Sequence, residues 1–238
     1  MSSTLPEQNE FGQPIGPEVG DWSPVALPSK APMEGRFCSL APVDPAEDCG
    51  PLFAALTDGD DGRLWTYLPF ERPHDRDDLG RLLVYFAREY QPFAIRDGRS
   101  GALLGVASYM RPNPGAGSIE VGAVIYSPRL QRSPIATEAM YLMMARVFAT
   151  GYRRYEWKCH ALNAASRAAA LRLGFQFEGI FRQHAIYKRR SRDTAWFSVI
   201  DSDWAGLSLA FEAWLAPENF DREGRQIQSL ASLRLGTP

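Results

Sequence analysis

The stretch Ile119-Glu120-Val121-Gly122-Ala123-Val124-Ile125-Tyr126-Ser127-Pro128-Arg129-Leu130-Gln131-Arg132-Ser133-Pro134-Ile135-Ala136-Thr137-Glu138-Ala139 holds the residues whose types and order could do chemistry. A strand-like run ends at Ser127-Pro128, a short basic loop follows, and a helix opens at Ser133/Pro134. Serine is a favoured helix cap because its hydroxyl accepts an otherwise orphaned amide. Proline suits the first helical position because its missing N–H would have had no partner there. The free N–H groups after Pro134, the positive end of the helix dipole, and Arg129 and Arg132 alongside make an anion cradle suited to a phosphate-bearing ligand. The same residues also describe a plain helix start with two solvated arginines, and the local sequence leaves both readings open.

The elements that must position this stretch are read from periodicity. Phe37 to Val43 reads as a first strand, and a helix follows from Pro45 through Leu56. Asp75 to Tyr90 is helical, because Leu79, Leu82, Leu83 and Phe86 recur at the spacing that makes one apolar stripe. Three strands in meander order come next: Phe93 to Ile95, Leu103 to Tyr109 and Ser118 to Tyr126, with turns at Asp97-Gly98 and over Arg111 to Gly117. A helix from Pro134 to about Thr150, a strand Tyr155 to Cys159, and a helix Ala164 to Leu173 follow. The hairpin Phe175 to Arg182 and Ala195 to Ile200 precedes a last helix near Trp204 to Leu215. An antiparallel meander combined with one parallel crossover is an α+β sheet of about seven strands flanked by helices.

The chain has 238 residues, 45% hydrophobic and 23% charged, enough for one large domain with a sizeable core. Residues 1–33 carry six prolines and few bulky apolar groups, and read as an extended arm with Phe11, Ile15, Trp22 and Val25 as anchors. Residues 34–216 form the domain, and 217–238 a polar tail. Net charge is −2, so the basic excess of a nucleic-acid or membrane-surface binder is missing. Cys38, Cys49 and Cys159 are odd in number and far apart, which supports neither a disulfide framework nor a metal site. No signal peptide or membrane span is expected, and a reducing cytoplasm is the expected location. The dinucleotide fingerprint and the phosphate-loop lysine signature are both absent.

Three passages, in order and properly spaced, resemble the GNAT superfamily of acetyl-CoA-dependent N-acetyltransferases. They are Glu120-Val121-Gly122…Ser127-Pro128, Gln131-Arg132-Ser133-Pro134-Ile135-Ala136-Thr137-Glu138-Ala139, and Asn163-Ala164-Ala165-Ser166…Leu173-Gly174-Phe175-Gln176-Phe177-Glu178-Gly179. The likeness covers about residues 35 to 204 and looks nearest to the RimJ/RimL-type ribosomal-protein acetyltransferases. It implies a GNAT-like mixed, mostly antiparallel sheet, acetyl-CoA as co-substrate, no metal, and transfer to a peptide N-terminus or small amine.

By that resemblance the loop Gln/Arg-x-x-Gly-x-Gly/Ala holds the coenzyme pyrophosphate, with Gln131 first and Ala136 last. Pro134 stands where the central glycine is usual and removes one donor. The cradle then rests on the amides of Arg132, Ser133, Ile135 and Ala136, helped by the Ser133 and Thr137 hydroxyls. Backbone of Ala123, Val124 and Ile125 would pair with pantetheine, and Asn163 and Ser166 would lie along its arm; Asn163 serves equally as a helix cap. Glu120 occupies the register of the strand glutamate that acts as base in histone-type relatives. It could instead orient the amine, or be an exposed or ion-paired residue. The tyrosine that many members use as general acid falls at Ala170 here, so Ser166 or water must protonate the leaving thiolate, with Tyr126 a distant choice.

Cys159 reads as a small buried residue before a nucleophile, and His74, His160 and His184 as isolated. Trp65 and Tyr67 are candidates to line the acceptor pocket, or else core. Glu71, Asp75, Asp77 and Asp78 suit a cationic amine, or a helix start. The competing readings are transfer of another acyl group such as succinyl, or a non-catalytic coenzyme-binding module. A homodimer is expected by resemblance, through the arm or through Phe211 and Trp214.

Overall fold

The computed structural model describes residues 7–235. Residues 1–6 and 236–238, the extremities of the expected arm and tail, lie outside the described residues. Strands are β1 (Met33–Glu34), β2 (Cys38–Pro42), β3 (Gln91–Asp97), β4 (Leu103–Asn113), β5 (Ser118–Tyr126), β6 (Arg154–His160), β7 (Gln176–Tyr187) and β8 (Arg190–Ile200). Helices are α1 (Pro45–Thr57), α2 (Arg76–Glu89), α3 (Pro134–Ala149), α4 (Ala164–Arg172), α5 (Asp201–Leu215) and α6 (Leu230–Leu235), with a 3₁₀ turn at Arg63–Trp65. The strands make one sheet in the order β1-β2-β3-β4-β5-β6-β8-β7. Only β5 and β6 run parallel, which requires the α3 crossover between them.

The mostly antiparallel α+β sheet has eight strands where about seven were expected. The addition is β1, a two-residue edge strand paired with β2, too short to announce itself in the sequence. The strand β4 also runs on through Met110 to Asn113, so the turn before β5 is shorter than Arg111 to Gly117.

Side chains alternate between the two faces. One face buries Ile119, Val121, Tyr155, Phe197 and Val199 with the methionines of α3 and with Phe211 and Trp214 of α5. The other buries Leu52, Leu56, Leu79, Leu83, Phe86 and Val106 beneath α1 and α2. Phe211 and Trp214 are 0% and 3% exposed, so they are spent inside the chain and cannot carry a dimer contact. Leu230 is likewise buried in the first core, and the Asn219 side chain pairs with the Gln228 backbone, its Nδ2 donating to the carbonyl at 3.1 Å and its Oδ1 accepting the amide at 2.8 Å. In the arm, Trp22 Nε1 donates to the Gly115 carbonyl at 2.7 Å and Val25 packs on the core. Phe11 and Ile15 stay exposed and are not anchors.

Helix starts follow their caps. Asp44 accepts from the amides of Ala46 and Glu47, Asp75 from Asp78, and Ser133 from Ala136, each just ahead of the first helical residue. Asp75 and Asp78 are thereby occupied as helix-start carboxylates.

Two local features shape the middle of the sheet. Glu138 of α3, 3% exposed, accepts the amides of Arg36, Phe37 and Cys38 at 2.7, 2.6 and 2.8 Å, which fastens the entry of β2 to the crossover helix. In β5, Val106 opposes Ile125 while Ser108 opposes Gly122, so β5 carries one extra residue. That β-bulge contains Ala123 at φ 46°, a left-handed conformation costly for alanine. It reverses the alternation: Ile119 and Val121 face α3, whereas Ile125 faces α1 and α2.

Replacing Glu138 by alanine strips three amides of a buried anionic acceptor. Denaturant unfolding should show a loss of about 2–4 kcal/mol, from charge-assisted hydrogen bonds at roughly 1.5–3 kcal/mol each with partial rehydration. A loss below 0.5 kcal/mol would contradict the role given to this contact.

Candidate active site

Pairing between β5 and β6 runs only from Ser118↔Arg154 to Val121↔Trp157, although β5 continues to Tyr126 and β6 to His160. Beyond the bulge the two strands part, leaving a wedge between the segment 122–126 and Lys158–His160. Gly122 stands at its apex, where an added Cβ would fall 2.4 Å from Met110 Sδ. The backbone of Ala123, Val124 and Ile125 therefore borders an opening in the sheet, on a strand that still pairs with β4 on its other side.

The loop from Ser127 into α3 ends at the same opening. Arg132 adopts φ 57°, Ser133 is the extended cap and Pro134 the first helical residue. Of the four amides expected to form a cradle, two are engaged: Ser133 N–H donates to the Leu130 carbonyl at 3.3 Å, and Ala136 N–H to Ser133 Oγ at 3.2 Å. Those of Arg132 and Ile135 have no acceptor among the described residues. The Ser133 hydroxyl donates to Leu130, and the Thr137 hydroxyl accepts from Arg172 Nη1 at 3.0 Å, so both are committed within the fold. Gln131 is exposed, and its Nε2 caps the Tyr126 carbonyl at 3.0 Å, closing the end of β5. Arg129 and Arg132 are exposed beside it.

Across the wedge, Asn163 caps α4, its Oδ1 accepting the Ser166 amide at 3.0 Å. Ser166 Oγ accepts Trp157 Nε1 at 3.0 Å. Cys159 is 6% exposed, and burial pushes its thiol up, so it is a protonated packing residue at neutral pH. Ala170 is fully buried, and the Tyr126 hydroxyl is buried with no partner among the described residues and pushed far up by that burial. Neither can serve a leaving thiolate.

Glu120 lies on the opposite face from Ser166. It is 4% exposed, and its Oε2 takes Arg111 Nη1 at 2.6 Å and Lys158 Nζ at 3.0 Å. Its Oε1 faces Gly122, with no partner among the described residues. Lys158 bridges on to Glu156 at 2.8 Å and stands 3.8 Å over the Trp196 ring, while Arg154 joins Glu156 and Glu178. The arginine and lysine hold the Glu156 carboxyl low against its burial. The structure thus brings Glu120 to the apex of the wedge and separates it from Ser166 by the sheet; the wedge is what connects the two sides.

Below this row a cavity of about 350 Å³ opens, lined by Trp65, Tyr67, Glu71, His160, Lys188 and Arg192 among others. Trp65 is 4% exposed and largely core, lending its carbonyl to Lys188 Nζ at 2.7 Å, whereas Tyr67 packs its ring 5.2 Å from that of His160. His160 Nδ1 accepts the Leu162 amide at 3.1 Å, so the ring proton belongs on Nε2. Burial first, then Arg192, lower the His160 pKa below its ordinary 6.5, opposed by Asp193.

Lys158 and Arg111 were not singled out as site residues from the sequence; His160 was read as an isolated histidine, and Arg192 as part of the charged turn 188–193, whose charges suit an acidic acceptor or a solvated surface. A signal for one of them existed: Lys158 is among only three lysines, and it sits in the alternating row Arg154, Glu156, Lys158, His160.

The chain as a whole has counterparts among known proteins. Residues 39–176 match the model of the acetyltransferase (GNAT) domain. A GCN5-related N-acetyltransferase from Brucella melitensis is 43% identical, with 91% of this chain and 99% of that one covered and a TM-score of 0.88.

The chain belongs to the GNAT acetyltransferase family.

A probable GNAT-family acetyltransferase from Chromobacterium violaceum is 36% identical over 81% of this chain and 98% of that one, at a TM-score of 0.76. The RimL ribosomal L7/L12 alpha-N-protein acetyltransferase shares 19% identity over 70% of this chain and 91% of its own, with a TM-score of 0.60, a likeness of fold. No curated protein matches the chain. As a GNAT enzyme this is an acyltransferase, and the family uses acetyl-CoA as co-substrate. Among the described residues no helix is long and apolar enough to cross a membrane.

Because the fold holds His160 neutral, the unfolded chain takes up a proton first as pH falls through 6.5, and stability declines below that value. An imidazole NMR titration should place the His160 midpoint under 6.5, with the Nε2–H tautomer at pH 7. A midpoint above 6.5 would contradict the burial described.

Proposed function

We propose that this GNAT enzyme transfers the acetyl group of acetyl-CoA to a primary amine, a peptide or protein N-terminus or a small-molecule amine, by direct attack on the thioester. The observation that carries it is the wedge: β5 and β6 stop pairing at Val121↔Trp157, and the unpaired Arg132 and Ile135 amides stand at the head of α3. An extended pantetheine fits a strand edge, and a diphosphate fits free amides at a helix start beside Arg129 and Arg132. The residues present therefore suit coenzyme A, which supplies an activated thioester.

The chain's own residues supply position and proton handling. Backbone of Ala123, Val124 and Ile125 aligns the arm. The loop Gln131, Arg132, Ser133, Pro134, Ile135, Ala136 and Thr137 holds the phosphates, mainly through Arg132 and Ile135, while Ser133, Gln131 and Thr137 keep that loop in shape. Asn163 holds α4 in register, and Ser166, fixed by Trp157, stands where a hydroxyl can hand a proton to the departing sulfur. Glu120 receives the ammonium proton at Oε1, directly or through water, while Arg111 and Lys158 fix Oε2. Tyr67, with the rim of Trp65, borders the acceptor.

The peptide N-terminus enters as one alternative through the sequence likeness to RimJ/RimL-type enzymes, beside a small-molecule amine. The reading further includes a cytoplasmic location, in keeping with three free cysteines, and self-association as a homodimer.

Calorimetry should give one acetyl-CoA site per chain, and thiol release should appear with at least one amine of a panel. Glu120→Gln should lower kcat by on the order of 100-fold, the usual worth of a positioned proton acceptor, with the coenzyme Kd changed less than about threefold. Absence of coenzyme binding would overturn the function, and unchanged turnover would remove Glu120 from it.

A further inference from the structure

The cavity beside the wedge has an electrostatic character that acetyl transfer to an amine does not require. Arg72, Lys188, Arg190 and Arg192 line it against a single carboxylate, Glu71. Arg72 pairs with Asp60 at 3.2 Å, and Lys188 approaches Glu71 at 3.7 Å, a carboxylate that is 79% exposed and largely solvated. Arg190 and Arg192 have no ion-pair partner among the described residues. Arg192 is the more telling. Its Nε is buried with no acceptor among the described residues, and its guanidinium lies 4.9 Å over the Tyr187 ring. Leaving a charged donor buried and unmatched is unfavourable, and a bound anion would supply the missing acceptor.

The turn that presents these cations is itself strained. Lys188 and Arg189, which connect Tyr187 to Arg190, have φ of 50° and 61°. Such a two-residue hairpin normally uses Asn-Gly, and long side chains there are held in a strained conformation. Lys188 Nζ reaches from this turn to the Trp65 carbonyl at 2.7 Å, tying the hairpin tip to the 62–72 loop and closing the cavity.

The register fixes the reach. On β8, Trp196 is opposite Lys158 and Thr194 is opposite His160, so Arg192 lies four residues from the level of Lys158, whose Nζ touches Glu120. At about 3.3 Å per residue that separation is roughly 13 Å along the strand. We infer that the acceptor is an amine carrying an anion, a carboxylate or a phosphate, about four residue lengths away, and that Arg192, with Lys188 and Arg190, holds that anion while the amine sits at Glu120. This rests on the transfer reading above and names the acceptor class for the same site.

Matched acceptors of the required length test it: tetraglycine against tetraglycinamide, and 8-aminooctyl phosphate against 8-aminooctanol. Binding is measured by calorimetry with CoA present, and turnover by thiol release with acetyl-CoA. The anionic member of at least one pair should bind at least tenfold more tightly, the difference appearing in KM rather than kcat and shrinking as salt is raised. Which pair discriminates identifies carboxylate or phosphate. Arg192→Gln should bring the acid-to-neutral ratio close to one, Arg192→Lys should restore part of it, and Arg190→Gln, at an exposed position, should reduce it severalfold without risk to folding. Equal binding within both pairs, or a preference that survives Arg192→Gln and Arg190→Gln, would overturn the anion site. Failure to bind CoA at all would instead overturn the transfer reading.

Discussion

The extra residue in β5 is the constraint on which the other parts of the site depend. A regular strand through Ser118–Tyr126 would continue to pair with β6 up to His160 and close the sheet. The bulge at Ala123 ends the pairing at Val121↔Trp157 and swings the remaining strand aside. The left-handed backbone of Ala123 is held there because both flanks are fixed: Val121 on the α3 side and Ile125 on the α1 and α2 side are each 1% exposed. Strain at this point is thus maintained by two cores rather than one. The Ser133 cap then orients α3 toward the opening, and Glu138, one turn further, locks the same helix to β2.

On the open face the charges are organised by alternation along β6. Arg154, Glu156, Lys158 and His160 point the same way and meet Glu178, Trp196 and Thr194 from β7 and β8. Glu120 belongs to this network, which gives a nearly buried carboxylate two cationic neighbours on one oxygen and leaves the other beside Gly122. A carboxylate so held is a positioned acceptor rather than a mobile one, consistent with a reaction whose thioester is already activated and whose main demand is alignment. Under the proposed function the sheet divides the labour, with coenzyme-side groups on α3 and α4, acceptor-side groups on β6, β8 and the 62–72 loop, and the wedge between them.

Much of this was legible in the residues. The stripe Leu79, Leu82, Leu83, Phe86, the Ser133-Pro134 start and the three spaced motifs carried the helices, the crossover and the family. That this strand parts from its neighbour was implied by the family resemblance, but the bulge that causes it was not legible, since Ala123 offers no glycine to mark a left-handed residue and the run Ile119 to Tyr126 reads as uninterrupted. The edge strand β1 was missed because two residues carry no period. Phe211 and Trp214 looked like interface residues and proved to be core, a distinction that only burial draws. In the cradle, the sequence located the loop but could not show that the Ser133 amide is taken by the Leu130 carbonyl and that of Ala136 by the Ser133 hydroxyl, leaving the Arg132 and Ile135 amides unengaged. The row Arg154, Glu156, Lys158 and His160 was missed because charged residues alternating on a strand read as a solvated surface until the neighbouring strands are in place.

The central claim is that the parted edge of β5 and the head of α3 form one coenzyme site. Hydrogen–deuterium exchange with and without coenzyme A tests it directly. Protection should rise together in segments 122–126 and 131–136, while β3 and the paired part of β4 are unaffected. Coenzyme binding that leaves 122–126 exchanging as before, or protects only segments remote from the wedge, would contradict it.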